Sequence, residues 1–351
     1  MTAYPLSAGA RDAFIVSRRP VRPVLDPWRA HGVTVEHEPT GTGELAEVVT
    51  VFLTGRECPW RCAMCDLWKY TTASDTPLGA IPHQIRSALQ SLPDLAQAFR
   101  LRATLRRTTV ASAEVVRPAI KLYNAGSFFD PRAVPPADYR AIAAAVAGFS
   151  RVIVESHPAL VGDRVDDFLE ALAAEASGDV PRLEVAMGLE TAHPDALERL
   201  NKRMTVDQFR HAASELGRRD VALRVFVLVA PPFVPAQEQG EWLRRSVDVA
   251  FDAGATAVSL IPMRDGNGAV EALGDQGLYA PPTLDVFEDA MDAALERARG
   301  RVFADLWDLE RLTSCGACFA DRKARLEQMN LTQRTAPRVS CATCAGVEAR
   351  A

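Results

Sequence analysis

The sequence predicts an α/β protein built on a parallel sheet, open or curled into a barrel, with a cysteine-rich metal-binding segment at its C-terminal end. Three observations predict it. Runs of Val, Ile, Leu and Phe recur with almost no polar alternation, as strands buried on both faces require. Segments of helical period separate those runs. All seven cysteines fall into short clusters, which suits metal ligation in a reducing compartment better than a disulfide framework.

Taken in order, residues 1–45 contain Pro5, Pro20, Pro23, Pro27 and Pro39 and no sustained period, and read as an irregular extension. Strands are expected at 47–54, 119–124, 151–155, 183–190, 222–229 and 257–261, with a short further strand at 301–306. Helices are expected at 82–97, 136–147, 165–176, 206–217, 238–253 and 283–299. Asp138, Asp163, Thr205 and Thr283 are their candidate starts; Gly148, Gly178, Gly217, Gly254 and Gly300 are candidate stops. Strand–helix units joined by right-handed crossovers give the parallel sheet. Residues 46–305 then form the main domain and 306–351 a metal-binding tail. An arginine-rich insertion at 100–109 (Arg100, Arg102, Arg106, Arg107) reads as a solvated loop, or else as an arm for phosphate.

Composition narrows the class. A hydrophobic fraction of 48% and a charged fraction of 24% are ordinary for a soluble globular protein. No apolar run reaches the ~18 residues a membrane span needs, and no apolar signal region opens the chain, so a cytoplasmic protein is expected. The net charge of −5 argues against broad electrostatic binding of nucleic acid. Lysine occurs only at 69, 121, 202 and 323, so the basic residues are nearly all arginine, a bias that carries little functional weight.

Chemistry enters at Cys58-Pro59-Trp60-Arg61-Cys62-Ala63-Met64-Cys65, a C-x3-C-x2-C loop directly after the apolar run from Val48 to Leu53. Thiolates are the soft ligands that iron–sulfur clusters select. Three ligands are one fewer than the irons of a [4Fe–4S] cluster, which leaves one iron open to another ligand. The plainer reading is three half-buried thiols in a reducing compartment. The spacing resembles that of the radical SAM enzymes. The resemblance implies an incomplete six-unit (β/α) barrel of the radical SAM type. It also implies S-adenosylmethionine (SAM) on the open iron at Cys58, Cys62 and Cys65, a reductant such as ferredoxin or flavodoxin, and hydrogen abstraction by a 5′-deoxyadenosyl radical.

Active residues of such barrels gather at the carboxyl ends of the strands. There the chain has Asn124-Ala125-Gly126-Ser127, Glu155-Ser156-His157-Pro158, Gly188-Leu189-Glu190-Thr191 and Asn201-Lys202-Arg203. The first resembles the glycine-rich motif that holds the SAM amino group, with Ser127 where the family carries a glutamate. The resemblance implies Glu155 on the adenosyl moiety, Glu190 on the ribose hydroxyls, Lys202 on the methionine carboxylate, and Met64 beside the adenine, where an aromatic residue is common. These segments, with Val227 to Phe233, Ile261 to Arg264 and Gly277 to Pro282, are similar to the branch holding the Elongator catalytic subunit and the archaeosine synthase radical SAM subunit. That branch leaves a nucleoside or RNA-linked substrate open. The alternative is a non-catalytic iron–sulfur or zinc protein that binds RNA or a protein partner.

Cys315-Gly316-Ala317-Cys318 and Cys341-Ala342-Thr343-Cys344 form two C-x2-C pairs. Two such knuckles supply the four thiolates of a closed zinc site, or of an auxiliary [4Fe–4S] cluster. The tail has few apolar residues, so metal is expected to supply much of its folding energy.

Overall fold

The structure, a computed structural model, describes residues 3–92, 117–124 and 126–344. The arginine insertion at 100–109, the end of the helix expected at 82–97, and Ala125 lie outside the described residues. The described residues form an α/β partial barrel around one eight-stranded sheet. In chain order its strands are β1 (Gly32–Pro39), β2 (Leu45–Leu53), β5 (Ala119–Asn124), β6 (Arg151–Glu155), β7 (Arg182–Glu190), β8 (Ala222–Val229), β9 (Ala255–Pro262) and β10 (Arg301–Ala304). The two-residue strands β3 (Gly55–Arg56) and β4 (Thr71–Thr72) bracket the first cysteine loop. Spatial order follows chain order, and every pairing from β2 to β10 is parallel.

The helices are α1 (Ala8–Val16), α2 (Ala80–Gln90), α3 (Tyr139–Val146), α4 (Asp163–Glu175), α5 (Pro194–Arg199), α6 (Val206–Arg218), α7 (Gln239–Asp252), α8 (Ala269–Gly274), α9 (Leu284–Glu296) and α10 (Phe319–Thr332). Outward residues of the strands, such as Val49, Val51, Val152, Val185 and Val225, are fully buried against helix residues such as Ile85, Ile142, Phe168, Phe209 and Phe287. Thr205 opens α6 with a capping box to Gln208, and Thr283 accepts the Val286 N–H at the start of α9. Asp138 instead turns its carboxylate to the Gly79 N–H.

The first 45 residues are not irregular. They hold α1 and β1, and β1 pairs antiparallel with β2 from Gly32–Phe52 to Pro39–Leu45. Gly-Val-Thr-Val-Glu-His-Glu-Pro carries no continuous apolar run because only its last two residues are buried, as befits an edge strand.

The barrel interior is layered. Its floor is ionic: Arg224 Nε donates to Glu184 Oε1 at 2.7 Å, and its two terminal nitrogens donate to Glu38 at 3.2 and 2.7 Å. Lys121 lies 2.6 Å from Glu38, while Arg151 and Arg301 reach Glu184 Oε2 at 3.0 and 3.1 Å. Burial opposes ionisation of both acids, but these cations outweigh it and hold Glu38 and Glu184 below the usual carboxylate range. Above the floor, Tyr123 of β5 meets Phe226 of β8 edge-on at 6.1 Å.

Candidate functional site

The cysteine loop is held by backbone contacts on three sides. Ala63, fully buried between its thiols, donates its N–H to Leu200 O at 2.8 Å. Asn267 Nδ2 donates to Ala63 O at 2.8 Å and to Cys65 O at 3.3 Å, and Asn201 Nδ2 donates to Arg61 O at 2.7 Å. On the third side α1 lies against the loop, with Tyr4, Phe14 and Ile15 in one apolar cluster with Ala63 and Leu273. Glu57, next to Cys58, receives Arg19 at 2.7 Å and also Arg22. The N-terminal segment is therefore part of the loop's support.

Cys58, Cys62 and Cys65 are each half-buried and unbridged. Burial pushes the Cys58 thiol up to about 12, Cys65 to about 11, and Cys62 well above its ordinary value. Cys65 and Cys58 add to the rise at Cys62. A four-iron cluster carries its irons at separate corners, and each thiolate holds one corner. The donor set of three soft thiols fits such a cluster.

Lys202 faces this loop. Its Nζ donates to Glu190 Oε1 at 2.5 Å, and both side chains are about nine-tenths buried. Burial works against the Lys202 ammonium, but Glu190, then Cys62 and Cys58, outweigh it and raise its pKa. The backbone is shaped for the pair. Glu190 has φ 65° at a register irregularity between β7 and β8, and Asn201 and Arg203 have φ 60° and 58° on either side of Lys202. A Cβ on Gly188 would lie 2.1 Å from Glu190 Oε1 and 2.6 Å from Lys202 Nζ, so a side chain there would push the pair from where it stands.

At the end of β5, Asn124 is 2% exposed, and neither its amide nitrogen nor its oxygen has a partner. A buried amide left so is costly unless a ligand satisfies it. A Cβ on Gly126 would meet Arg56 O at 2.9 Å, which makes glycine obligatory at that approach. Ser127 is occupied: its Oγ accepts the His157 N–H at 3.0 Å, and Phe128 N–H donates to Glu155 O at 2.8 Å. Met64 packs with Leu200, Leu228, Met263 and Val270.

Burial pushes the Glu155 carboxyl up to about 8 from 4.5, against the pull of Lys202. Between those values the folded protein keeps a proton that the unfolded chain has lost. The associated stability is therefore full below about 4.5 and lost as pH rises through about 8. Glu155→Gln, neutral at every pH, removes that dependence. It should gain on the order of 3 kcal/mol over the parent at pH 8.5 relative to pH 4.5. Urea unfolding at the two pH values checks this; an equal difference at both would contradict it.

His157 is a brace. Nδ1 accepts the Ala159 N–H at 3.2 Å, so Nε2 carries the proton and donates to Lys202 O at 3.0 Å. Burial pushes its pKa down to about 3, and its ring stacks on Trp60 at 3.7 Å. Asn201, Asn267, Trp60 and Arg19 are the site's supports that sequence reasoning did not assign. Of these, Trp60 and Asn201 stood in segments already singled out.

The second cysteine group converges. Cys315 and Cys341 sulfurs are 3.9 Å apart, Cys318 and Cys344 sulfurs 3.7 Å, and all four ligand atoms lie within 4.8 Å of one another. Sulfurs about 2.3 Å from one tetrahedral ion would lie about 3.8 Å apart. Backbone N–H groups of Cys344 and Thr343 point at Cys341 and bring it down to about 6; those of Cys318 and Ala317 lower Cys315 in the same way. This is a pair of cysteine knuckles facing each other, and it fits one ion. Among the described residues no helix is long and apolar enough to cross a membrane.

No family model matches the chain. The archaeosine synthase beta subunit of Methanosarcina acetivorans is 28% identical over 260 residues, covering 70% of this chain and 67% of that protein. Among solved structures, Methanocaldococcus infernus Elp3 aligns with a TM-score of 0.45 at 12% identity, over 64% of this chain and 52% of its own, so the chain spans about half of that Elp3. Escherichia coli coproporphyrinogen III oxidase, a radical SAM enzyme, aligns with a TM-score of 0.39 at 14% identity, over 70% of this chain and 50% of that one. By sequence, the chain is a distant homologue of the archaeosine synthase beta subunit.

Proposed function

We propose that the chain is a radical SAM enzyme, with Cys58, Cys62 and Cys65 holding a [4Fe–4S] cluster. The observation that carries the reading is the placement of Lys202 between those thiols and Glu190. Lys202 would meet the methionine carboxylate of SAM, Asn124 and the close approach at Gly126 its polar head, and Glu155 and Glu190 the adenosyl part. Met64 belongs to the same rim. Ser127 is already committed to the His157 N–H and serves by fixing the ends of β5 and β6 together. When bound, the cluster and SAM supply a 5′-deoxyadenosyl radical that abstracts hydrogen from substrate; the protein's share is orientation and exclusion of water.

The likeness to the archaeosine synthase beta subunit supports a nucleoside or RNA-linked substrate. The four C-terminal cysteines would hold one zinc ion, because their sulfur spacing is that of a single tetrahedral metal. A low-potential donor such as ferredoxin or flavodoxin completes the system. The test is release of 5′-deoxyadenosine from anaerobically reconstituted protein given SAM and dithionite. Protein that carries its cluster and releases none would instead be a binding protein.

A further inference from the structure

Helix α10 begins at the cysteine group and ends on the free edge of the barrel. Cys318 stands at its N-terminal cap. Near its other end, Val302 N–H donates to Gln333 Oε1 at 2.7 Å, and Gln333 Nε2 donates back to Val302 O at 2.8 Å. One step along β10, Ala304 N–H donates to Asn330 Oδ1 at 2.7 Å, and Asn330 Nδ2 donates to Ala304 O at 2.9 Å. Two side-chain amides thus satisfy the backbone groups that a ninth strand would have paired. Gln333 lies in the left-handed region at φ 55°, which ends the helix and turns its amide onto the strand. An edge strand without such cover is an open template for another chain.

The same helix is tied down along its length. Arg322 donates to Glu288 and Asp285, and Arg325 donates to Asp292 at 2.7 Å and to Ala336 O at 2.8 Å. Leu326 and Met329 are fully buried. The chain then doubles back, with Arg338 against Asp292 at 2.7 Å, and delivers Cys341 and Cys344 to Cys315 and Cys318. An ion at that point closes the base of the loop made by α10 and its return.

The two edges of the sheet approach each other but share no strand ladder. Arg301 Nη1 donates to Pro39 O at 3.4 Å below, and Phe52 meets Trp307 edge-on at 5.9 Å above. We propose that the four-cysteine group, loaded with one zinc ion, is a clamp that seats α10 on β10 and so closes the open side of the barrel. The tail is then a wall of the main domain, not a separate module. This role does not depend on what the Cys58 loop carries.

Hydrogen exchange read by mass spectrometry tests it. The full chain is used as the zinc-loaded Cys58→Ala/Cys62→Ala/Cys65→Ala variant, so that a chelator finds one metal site. Removing zinc should speed exchange across residues 301–306 by on the order of tenfold or more, while β6, β7 and β8 exchange as slowly as before. A second variant, Asn330→Ala/Gln333→Ala on the same background with zinc retained, should speed the same residues. The clamp is refuted if residues 301–306 stay as protected without zinc as with it. It is equally refuted by loss of protection in all strands alike, or by a double variant whose β10 exchanges at the parent rate.

Discussion

Alanine at Cys58, Cys62 and Cys65 together should bring 5′-deoxyadenosine release down to the level of a protein-free control, with zinc still bound at the tail. The fold should survive the change. The loop is anchored at its backbone through Ala63, Asn201 and Asn267. Stability should therefore move by no more than about 1–2 kcal/mol. Retained deoxyadenosine formation in this variant would place the chemistry elsewhere. Loss of folding would show instead that the thiols pack the rim.

The largest expected stability effect lies at the opposite end of the barrel. Arg224→Met leaves Glu38 and Glu184 without the guanidinium that contacts both, and should cost about 3–5 kcal/mol at pH 7. Both acids are held below their usual range, so the stability they confer is present above the unfolded value of about 4.5 and is lost as pH falls below it. The cost of Arg224→Met should accordingly shrink in acid. Adding Glu38→Gln and Glu184→Leu should recover little of it, because Lys121, Arg151 and Arg301 then lose the acids they pair with. Urea unfolding of parent, single and triple variants at pH 7 and pH 4 reads all three expectations. A single variant within 1 kcal/mol of the parent at pH 7 would remove this network from the account of the floor.

Much of the fold was legible because parallel strands buried on both faces announce themselves as apolar runs. The runs at 119–124, 151–155 and 222–229 match β5, β6 and β8. The same criterion hid β1, whose half-buried alternation belongs to an edge. It also passed over α1 and α10, where arginines do what apolar residues do elsewhere: Arg11, Arg322 and Arg325 are buried through ion pairs and carbonyl contacts. The tail therefore has few apolar residues and is nonetheless well docked. The ionic floor had a signal, namely Lys121, Glu184 and Arg224 inside otherwise apolar runs, but a sequence does not say which charges meet across a barrel. At the rim, spacing revealed the cysteines and the strand-end acids. It could not reveal that Lys202 is turned inward by two left-handed neighbours, or that Ser127 is spent on His157.

In the proposed function the Cys58 loop carries a cluster with one iron open to SAM, facing Lys202. Electron paramagnetic resonance of the anaerobically reconstituted, dithionite-reduced protein tests it most directly. The expected result is a reduced [4Fe–4S] signal that changes on adding SAM, that needs higher SAM for the same change in Lys202→Ala, and that is absent from the triple cysteine variant. A cluster signal identical with and without SAM would contradict it.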